Sequence, residues 1–272
     1  CAARGGLMND YPSMCPGSRA GTLLPKRVAL TWPASVRCWR AKRPIYKCIV
    51  GTAPGPALRQ TNAHDFYSLS PALLDPEDFT RCGVPGMTAV SKRQTEFLAG
   101  RLCACEALRR ATGAPCIPAV NDDRSPCWPA GVVGSITHGA GWAAAAVARR
   151  EQWRGIGLDV EKQIPTTRAD RLVAEILTPY ELEGYAALDE TQRALRVTLT
   201  FSLKESLFKA LYPLVNKRFY FQEAELIHHD SSGYARLRLL TDLSGDWKTG
   251  AELDGQFVQF DDYLLSLVSI AA

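Results

Sequence analysis

The sequence predicts an α+β fold. Three observations carry that prediction. Apolar residues recur at helical spacing over 90–112, 166–177 and 190–212. Strand-like alternation marks 156–161 and 235–240. Near the end of the chain, Phe257–Phe260 and Tyr263–Ile270 flank Asp261-Asp262, which reads as a hairpin. Strands and helices thus fall in separate runs rather than in strict βαβ alternation.

In chain order, residues 1–25 are rich in Gly, Pro, Ser and Arg without a steady apolar period, and are expected to be poorly ordered. The chain starts at Cys1. A mature lipoprotein begins so, but a truncated or mis-started frame is the preferred reading, with Met8 and Met14 as candidate starts. Residues 26–85 read as strands and loops, with Val28–Leu30 and Ile45–Val50 as the strand candidates. The first strong helix, 90–112, carries a stripe of Leu98, Leu102, Cys105 and Leu108. Ser91 with Gln94 resembles a capping box, and Gly113 is a stop. Arg93 and Arg101 lie about two turns apart, within reach of a common ligand.

A Pro-rich crossing runs from Pro115 to Pro129. The stretch Gly134 to Gly139 reads as a turn, or as a phosphate contact in which small residues admit a polyanion and Ser135, Thr137 and His138 donate hydrogen bonds. Ala143 to Ala148 fits a helix by propensity and a buried strand by its glycine-bounded length. After the helix through Leu172, Val173, Ile176 and Leu177, the run Thr178-Pro179-Tyr180-Glu181 supplies an N-cap, a Pro at N1 and a Glu at N3, so a new helix is expected there. The long helix from 190 is expected to end at Pro213.

Composition narrows the function. The chain has 272 residues, 46% hydrophobic and 22% charged, as in ordinary globular proteins. A formal charge of +4 does not call for nucleic acid. Nine cysteines without a Cys-x-x-Cys pair, together with four histidines, argue against a zinc cluster or a disulfide scaffold and for reduced thiols in a cytoplasm. No apolar run approaches membrane-spanning length.

The chemistry concentrates in two blocks. In Gly157-Leu158-Asp159-Val160-Glu161, strand alternation puts Asp159 and Glu161 side by side on one face, with Leu158 and Val160 turned to a core. In Lys204-Glu205-Ser206-Leu207-Phe208-Lys209, Glu205 and Lys209 share a helical face four residues apart. Either block alone is ordinary, since acidic edge strands and surface ion pairs are common. If the two meet, three carboxylates converge, which is unfavourable unless a cation sits among them. All-oxygen ligands without His or Cys nearby point to Mg2+.

Gly134-Ser135-Ile136-Thr137-His138, the Asp159 block and Phe201 to Ala210 occur in an order that resembles the 4′-phosphopantetheinyl transferases of the surfactin and enterobactin type, most of all the enterobactin synthetase component D branch. Phe97 to Arg101, Cys127-Trp128-Pro129 and Lys217 to Phe221 match that branch too. The resemblance covers roughly 85–230 and does not extend to residues 1–45. It implies a pseudo-twofold monomer of two similar α+β halves with coenzyme A in the cleft between them. The chain would divide into a poorly ordered extension (1–45), an N-terminal half (46–154) and a C-terminal half (155–272). The implied reaction moves phosphopantetheine from coenzyme A, the co-substrate, to a serine of an apo acyl or peptidyl carrier protein of siderophore or fatty-acid biosynthesis. Implied roles are Asp159, Glu161 and Glu205 as Mg2+ ligands, Glu205 as general base, Lys209 on the diphosphate, and His138 and Lys204 on phosphate. Arg93, Arg101 and Arg124 would lie around the 3′-phosphate and adenosine, and Lys217, Arg218 and Phe219 on a rim facing the acidic carrier. The rivals are a Mg2+-dependent phosphodiester enzyme acting on nucleic acid, which would need a basic groove, and a carrier-binding module without activity, which the intact acid and lysine set disfavours.

Overall fold

Four layers stack as helix, sheet, sheet, helix in the computed structural model, which describes residues 46–51, 74–139 and 141–272. The expected strand at Val28–Leu30 and the N-terminal extension lie outside the described residues.

The first sheet has the order β1-β5-β4, all antiparallel: β1 (Tyr46–Gly51), β4 (Val132–Gly139) and β5 (Trp142–Arg149). Helix α2 (Ser91–Thr112) covers its outer face, where Ala99, Cys103, Ala107 and Leu108 pack on Val132, Ala143, Ala145 and Val147. The other side of β5, Ala144, Ala146 and Ala148, packs on Ile156, Leu158, Val160, Leu265 and Leu267 of the second sheet. Being dry on both faces explains how an alanine run becomes a strand. Small side chains let a helix and a second sheet approach from opposite sides, and packing overrides alanine's helix propensity.

The second sheet has the order β6-β10-β9-β8-β7 and is antiparallel throughout: β6 (Trp153–Lys162), β7 (Ala224–His229), β8 (Tyr234–Leu239), β9 (Glu252–Phe260) and β10 (Tyr263–Ala271). The expected hairpin is β9–β10, turned through Asp261 at φ 51°. Helix α4 (Glu190–Val215) lies on the free face, burying Leu203, Leu207 and Leu211 against Leu264, Val268 and Ile270. Each such leucine contributes about 1.5–3 kcal/mol on burial. Helix α3 (Thr166–Ile176) packs on the first half of α4 through Ala169 and Ile176.

Several expectations are corrected. The Gly134–Gly139 stretch is strand β4, not a turn. Ser91 does not cap α2; Val90 holds that position without a side-chain bond. A short helix, α1 (Pro76–Arg81), interrupts the region read as strands and loops, with Asp75 and Asp78 forming its capping box. Thr178 and Glu181 do exchange capping bonds, but no α-helix follows. The turn ends at Gly184, with φ 71°, and the Glu181 carboxylate is committed elsewhere. Helix α4 runs past Pro213 to an αL cap at Asn216. One lost hydrogen bond in the final turns does not outweigh the packing of Leu211. The pair β2 (Ala119–Val120) and β3 (Pro126–Cys127) forms a small hairpin within the Pro-rich crossing.

Candidate active site

On β6, Gly155, Gly157, Asp159 and Glu161 share the face that meets α4. The two glycines bring the helix in. A Cβ on Gly157 would stand 1.7 Å from the Ser206 carbonyl oxygen, and one on Gly155 would stand 2.4 Å from that of Ala210. With the helix backbone against the strand, the next two positions on that face, both acids, fall under Ser202, Glu205 and Lys209. On the other side of the molecule, a Cβ at Gly100 of α2 would meet Ile136 of β4 at 2.8 Å, so α2 also packs closely, and Arg93 reaches His138.

Asp159 is only 3% exposed, yet both its oxygens are engaged. Oδ1 accepts from Lys209 Nζ at 2.7 Å and from Thr137 Oγ1 at 3.3 Å, and Oδ2 accepts from Ser202 Oγ at 2.9 Å. Lys209 Nζ also donates to the Leu158 carbonyl. Burial, then the charge of Asp159, pushes Glu161 up to about 7, with Glu205 adding to the rise. Glu205 is likewise raised, first by burial, and Asp159 adds to it against the opposing effect of Lys209. Glu161 therefore feels both other acids and Glu205 feels Asp159, as in a site suited to a cation.

His138 is held down to about 4, by burial first and then by Arg93 and Lys209, so it is neutral at pH 7. Arg93 Nη1 lies 2.5 Å from its Nε2, and Glu96 approaches Arg93 at 3.7 Å and His138 Nδ1 at 3.6 Å.

Four side chains expected on phosphate make bonds within the protein. Ser135 Oγ accepts the Leu158 N–H at 3.0 Å and Thr137 Oγ1 accepts the Val160 N–H at 3.2 Å. Both hydroxyls satisfy backbone N–H groups on the edge of β6 that no strand pairs. Arg101 is buried beneath Phe97, with Nη1 donating to the carbonyls of Pro118 and Ala119. Lys204 Nζ is buried and donates to Glu181 Oε2 at 2.7 Å, Ile176 O at 2.7 Å and Phe221 O at 2.8 Å. Glu181 in turn accepts from the N–H groups of Thr178 and Leu226. Its role was missed because its partner lies across the fold; the Thr-x-x-Glu spacing had signalled only a cap. Arg124 is exposed in the β2–β3 turn, at φ 70°. On the proposed carrier rim, Phe219 is buried against Phe208, Lys217 donates to the Asp242 carbonyl, and exposed Arg218 lines a cleft of about 170 Å³ beside Glu205 with Tyr220 and Phe221.

Among the described residues no trio of His, Cys, Asp or Glu side chains already stands gathered around one point. Lys209 Nζ stands at Asp159 Oδ1. The chemistry nevertheless fits: three mutually repelling carboxylates at one strand–helix contact offer hard oxygen ligands.

The two halves of the chain match known families. A profile for the 4′-phosphopantetheinyl transferase N-terminal domain covers residues 86–148, and one for the 4′-phosphopantetheinyl transferase superfamily covers residues 155–268. The 4′-phosphopantetheinyl transferase Svp of Streptomyces mobaraensis is 36% identical over 206 residues, covering 74% of this chain and 80% of Svp. The chain belongs to the 4′-phosphopantetheinyl transferase superfamily. Enterobactin synthase component D of Escherichia coli (strain K12) is 45% identical over 119 residues, which span 44% of this chain and 55% of that protein. PptT of Mycobacterium tuberculosis is 35% identical over 153 residues, 54% of this chain and 63% of PptT. The seam between the two matched transferase regions, 149–154, falls where β5 gives way to β6, at the junction of the two sheets.

Proposed function

We propose that this transferase moves the 4′-phosphopantetheine arm of coenzyme A onto a serine hydroxyl of an apo acyl or peptidyl carrier protein, releasing adenosine 3′,5′-bisphosphate. The observation that carries this reading is the meeting of Asp159 and Glu161 on β6 with Glu205 and Lys209 on α4, in a chain whose relatives are phosphopantetheinyl transferases. We divide the described chain at 154/155, two residues into β6, with the first sheet and α2 before the boundary and the rest of the second sheet with α3 and α4 after it.

Asp159, Glu161 and Glu205 would hold Mg2+, which when bound supplies charge neutralisation for a diphosphate. The remaining work falls to the protein. Glu205 accepts the proton of the attacking serine at its carboxylate, directly or through a water. Lys209, anchored at Asp159, presents its ammonium to the diphosphate oxygens and to the charge that develops on the leaving phosphate. Neutral His138, with Arg93 beside it, provides donors at the opposite wall. Exposed Arg218 at the cleft beside Glu205 favours an acidic carrier. The small net charge of +4 disfavours the nucleic-acid rival. No helix among the described residues is long and apolar enough to cross a membrane. We propose action as a monomer in the cytoplasm.

Incubation with coenzyme A, Mg2+ and apo carriers from fatty-acid, polyketide and siderophore peptide systems, read by intact mass, tests the proposal. The mass of the arm should appear on at least one carrier serine. Absence from all of them, with binding to duplex DNA that weakens steeply with salt, would favour the rival.

A further inference from the structure

Three serines lie in contact beneath Asp159. Ser266 on β10 is the direct cross-strand neighbour of Asp159 on β6, on the face that α4 covers. Ser202 and Ser206 project from α4 one turn apart. All three are fully buried. Ser206 Oγ is 2.8 Å from Ser266 Oγ, Ser266 Oγ is 2.8 Å from Ser202 Oγ, and Ser202 Oγ donates to Asp159 Oδ2 at 2.9 Å.

A hydroxyl has one proton to give. The carboxylate at the end of the row accepts only, so Ser202 must spend its proton on Asp159. Its oxygen is then left to accept, and Ser266 is the hydroxyl placed to donate to it. Ser206 stands in the same relation to Ser266. The carboxylate thus sets the direction of the whole row, and hydrogen bonds aligned head to tail polarise one another. The carbonyls of Ser202, 2.8 Å from Ser266 Oγ, and of Ser266, 3.1 Å from Ser206 Oγ, offer each proton a competing acceptor.

We propose that Ser202, Ser266 and Ser206 form a hydroxyl relay that positions Asp159, fixing the rotation of its carboxylate so that Oδ1 faces the cation site while Oδ2 is held from behind. These are positioning residues. None touches substrate, and Ser266 lies outside the sequence blocks that announced the site. The inference rests on the reading of Asp159 as a Mg2+ ligand. Partners behind a metal ligand commonly account for 10–100-fold in affinity.

The test is Mg2+ affinity of the intact protein by calorimetry, with Mn2+ paramagnetic resonance as a second probe, alongside thermal unfolding. Ser202→Ala should weaken binding about 10–100-fold, Ser266→Ala by less, and Ser206→Ala least. The double change of Ser202 and Ser266 to Ala should bind about as Ser202→Ala alone, because Ser266 acts through Ser202. Equal, additive losses, or destabilisation with unchanged metal affinity, would overturn the relay and leave the metal assignment standing. Absence of Mg2+ and Mn2+ binding by the unaltered protein would remove the metal assignment, and the relay with it. Should Ser266→Ala not fold, comparison of Ser202→Ala with Ser206→Ala still decides, since the relay requires unequal effects.

Discussion

Lys209 Nζ lies 2.7 Å from Asp159 Oδ1, an ion pair at the line where α4 crosses β6. The ammonium thereby occupies one side of the carboxylate that the proposed reaction needs for a metal. It ties the two sequence blocks together before any ligand arrives.

Asp159→Asn and Glu205→Gln should each lower kcat/KM for carrier modification by at least roughly 10²–10³-fold, the scale lost when a preorganised charge is removed from a transition state. Both changes preserve shape, so far-ultraviolet circular dichroism should match that of the unaltered protein. Near-normal turnover of either variant at saturating Mg2+ would refute the assignment of that residue.

The metal-free protein should show two opposing pH dependences. Glu161 is raised from 4.5 to about 7, so between those values the folded state binds the extra proton, and stability from this group falls as pH rises. His138 is lowered from 6.5 to about 4, so between those values the unfolded state binds the extra proton, and stability from this group falls as pH drops. Melting curves in chelator from pH 4.5 to 7.5 should therefore be nearly flat where the windows overlap. Glu161→Gln should leave a curve that rises with pH, and His138→Gln one that falls. Parallel curves for all three proteins would contradict both shifts.

Lys204 and Glu181 form an ion pair whose side chains are 2% and 1% exposed, joining α4 to the 178–181 turn. Removing one partner strands a buried charge. Lys204→Met should cost about 3–5 kcal/mol, and pairing it with Glu181→Leu should recover much of that loss. Urea unfolding midpoints of the two singles and the double check this. A Lys204→Met protein as stable as the original, but impaired in binding coenzyme A, would restore the phosphate role that the buried geometry argues against.

Gly157→Ala should yield little folded protein, because the added carbon would sit 1.7 Å from a helix carbonyl that cannot move without α4. Gly245→Ala, where nothing lies within 4 Å, is the control and should express normally. Comparable soluble yields of the two would show that the strand–helix contact is looser than described.

The acids were legible because their signal is local. Alternation around Leu158 and Val160 fixes which way Asp159 points, and helical spacing fixes Glu205 relative to Lys209. Helices α2, α3 and α4 were legible for the same reason. The alanine strand was not, because its conformation is decided by the helix and the sheet on either side of it. The bonds of Lys204, Ser135 and Thr137 were not legible because a polar residue in a motif says nothing of its partner; here the partners are Glu181 and the backbone edge of β6, set by tertiary contact alone. Ser266 carried no signal, since a lone serine in an apolar strand has no pattern around it.

Between β4 and β6 the two sheets meet through two hydroxyls, from Ser135 and Thr137, each receiving one backbone N–H. A seam stitched by side chains is cheaper to part than a continuous ladder of main-chain bonds. The second stitch is also bonded to Asp159. Any shift of one slab against the other would therefore bear on Asp159 through Thr137, resisted by the apolar packing of Ala144, Ala146 and Ala148 on the second sheet.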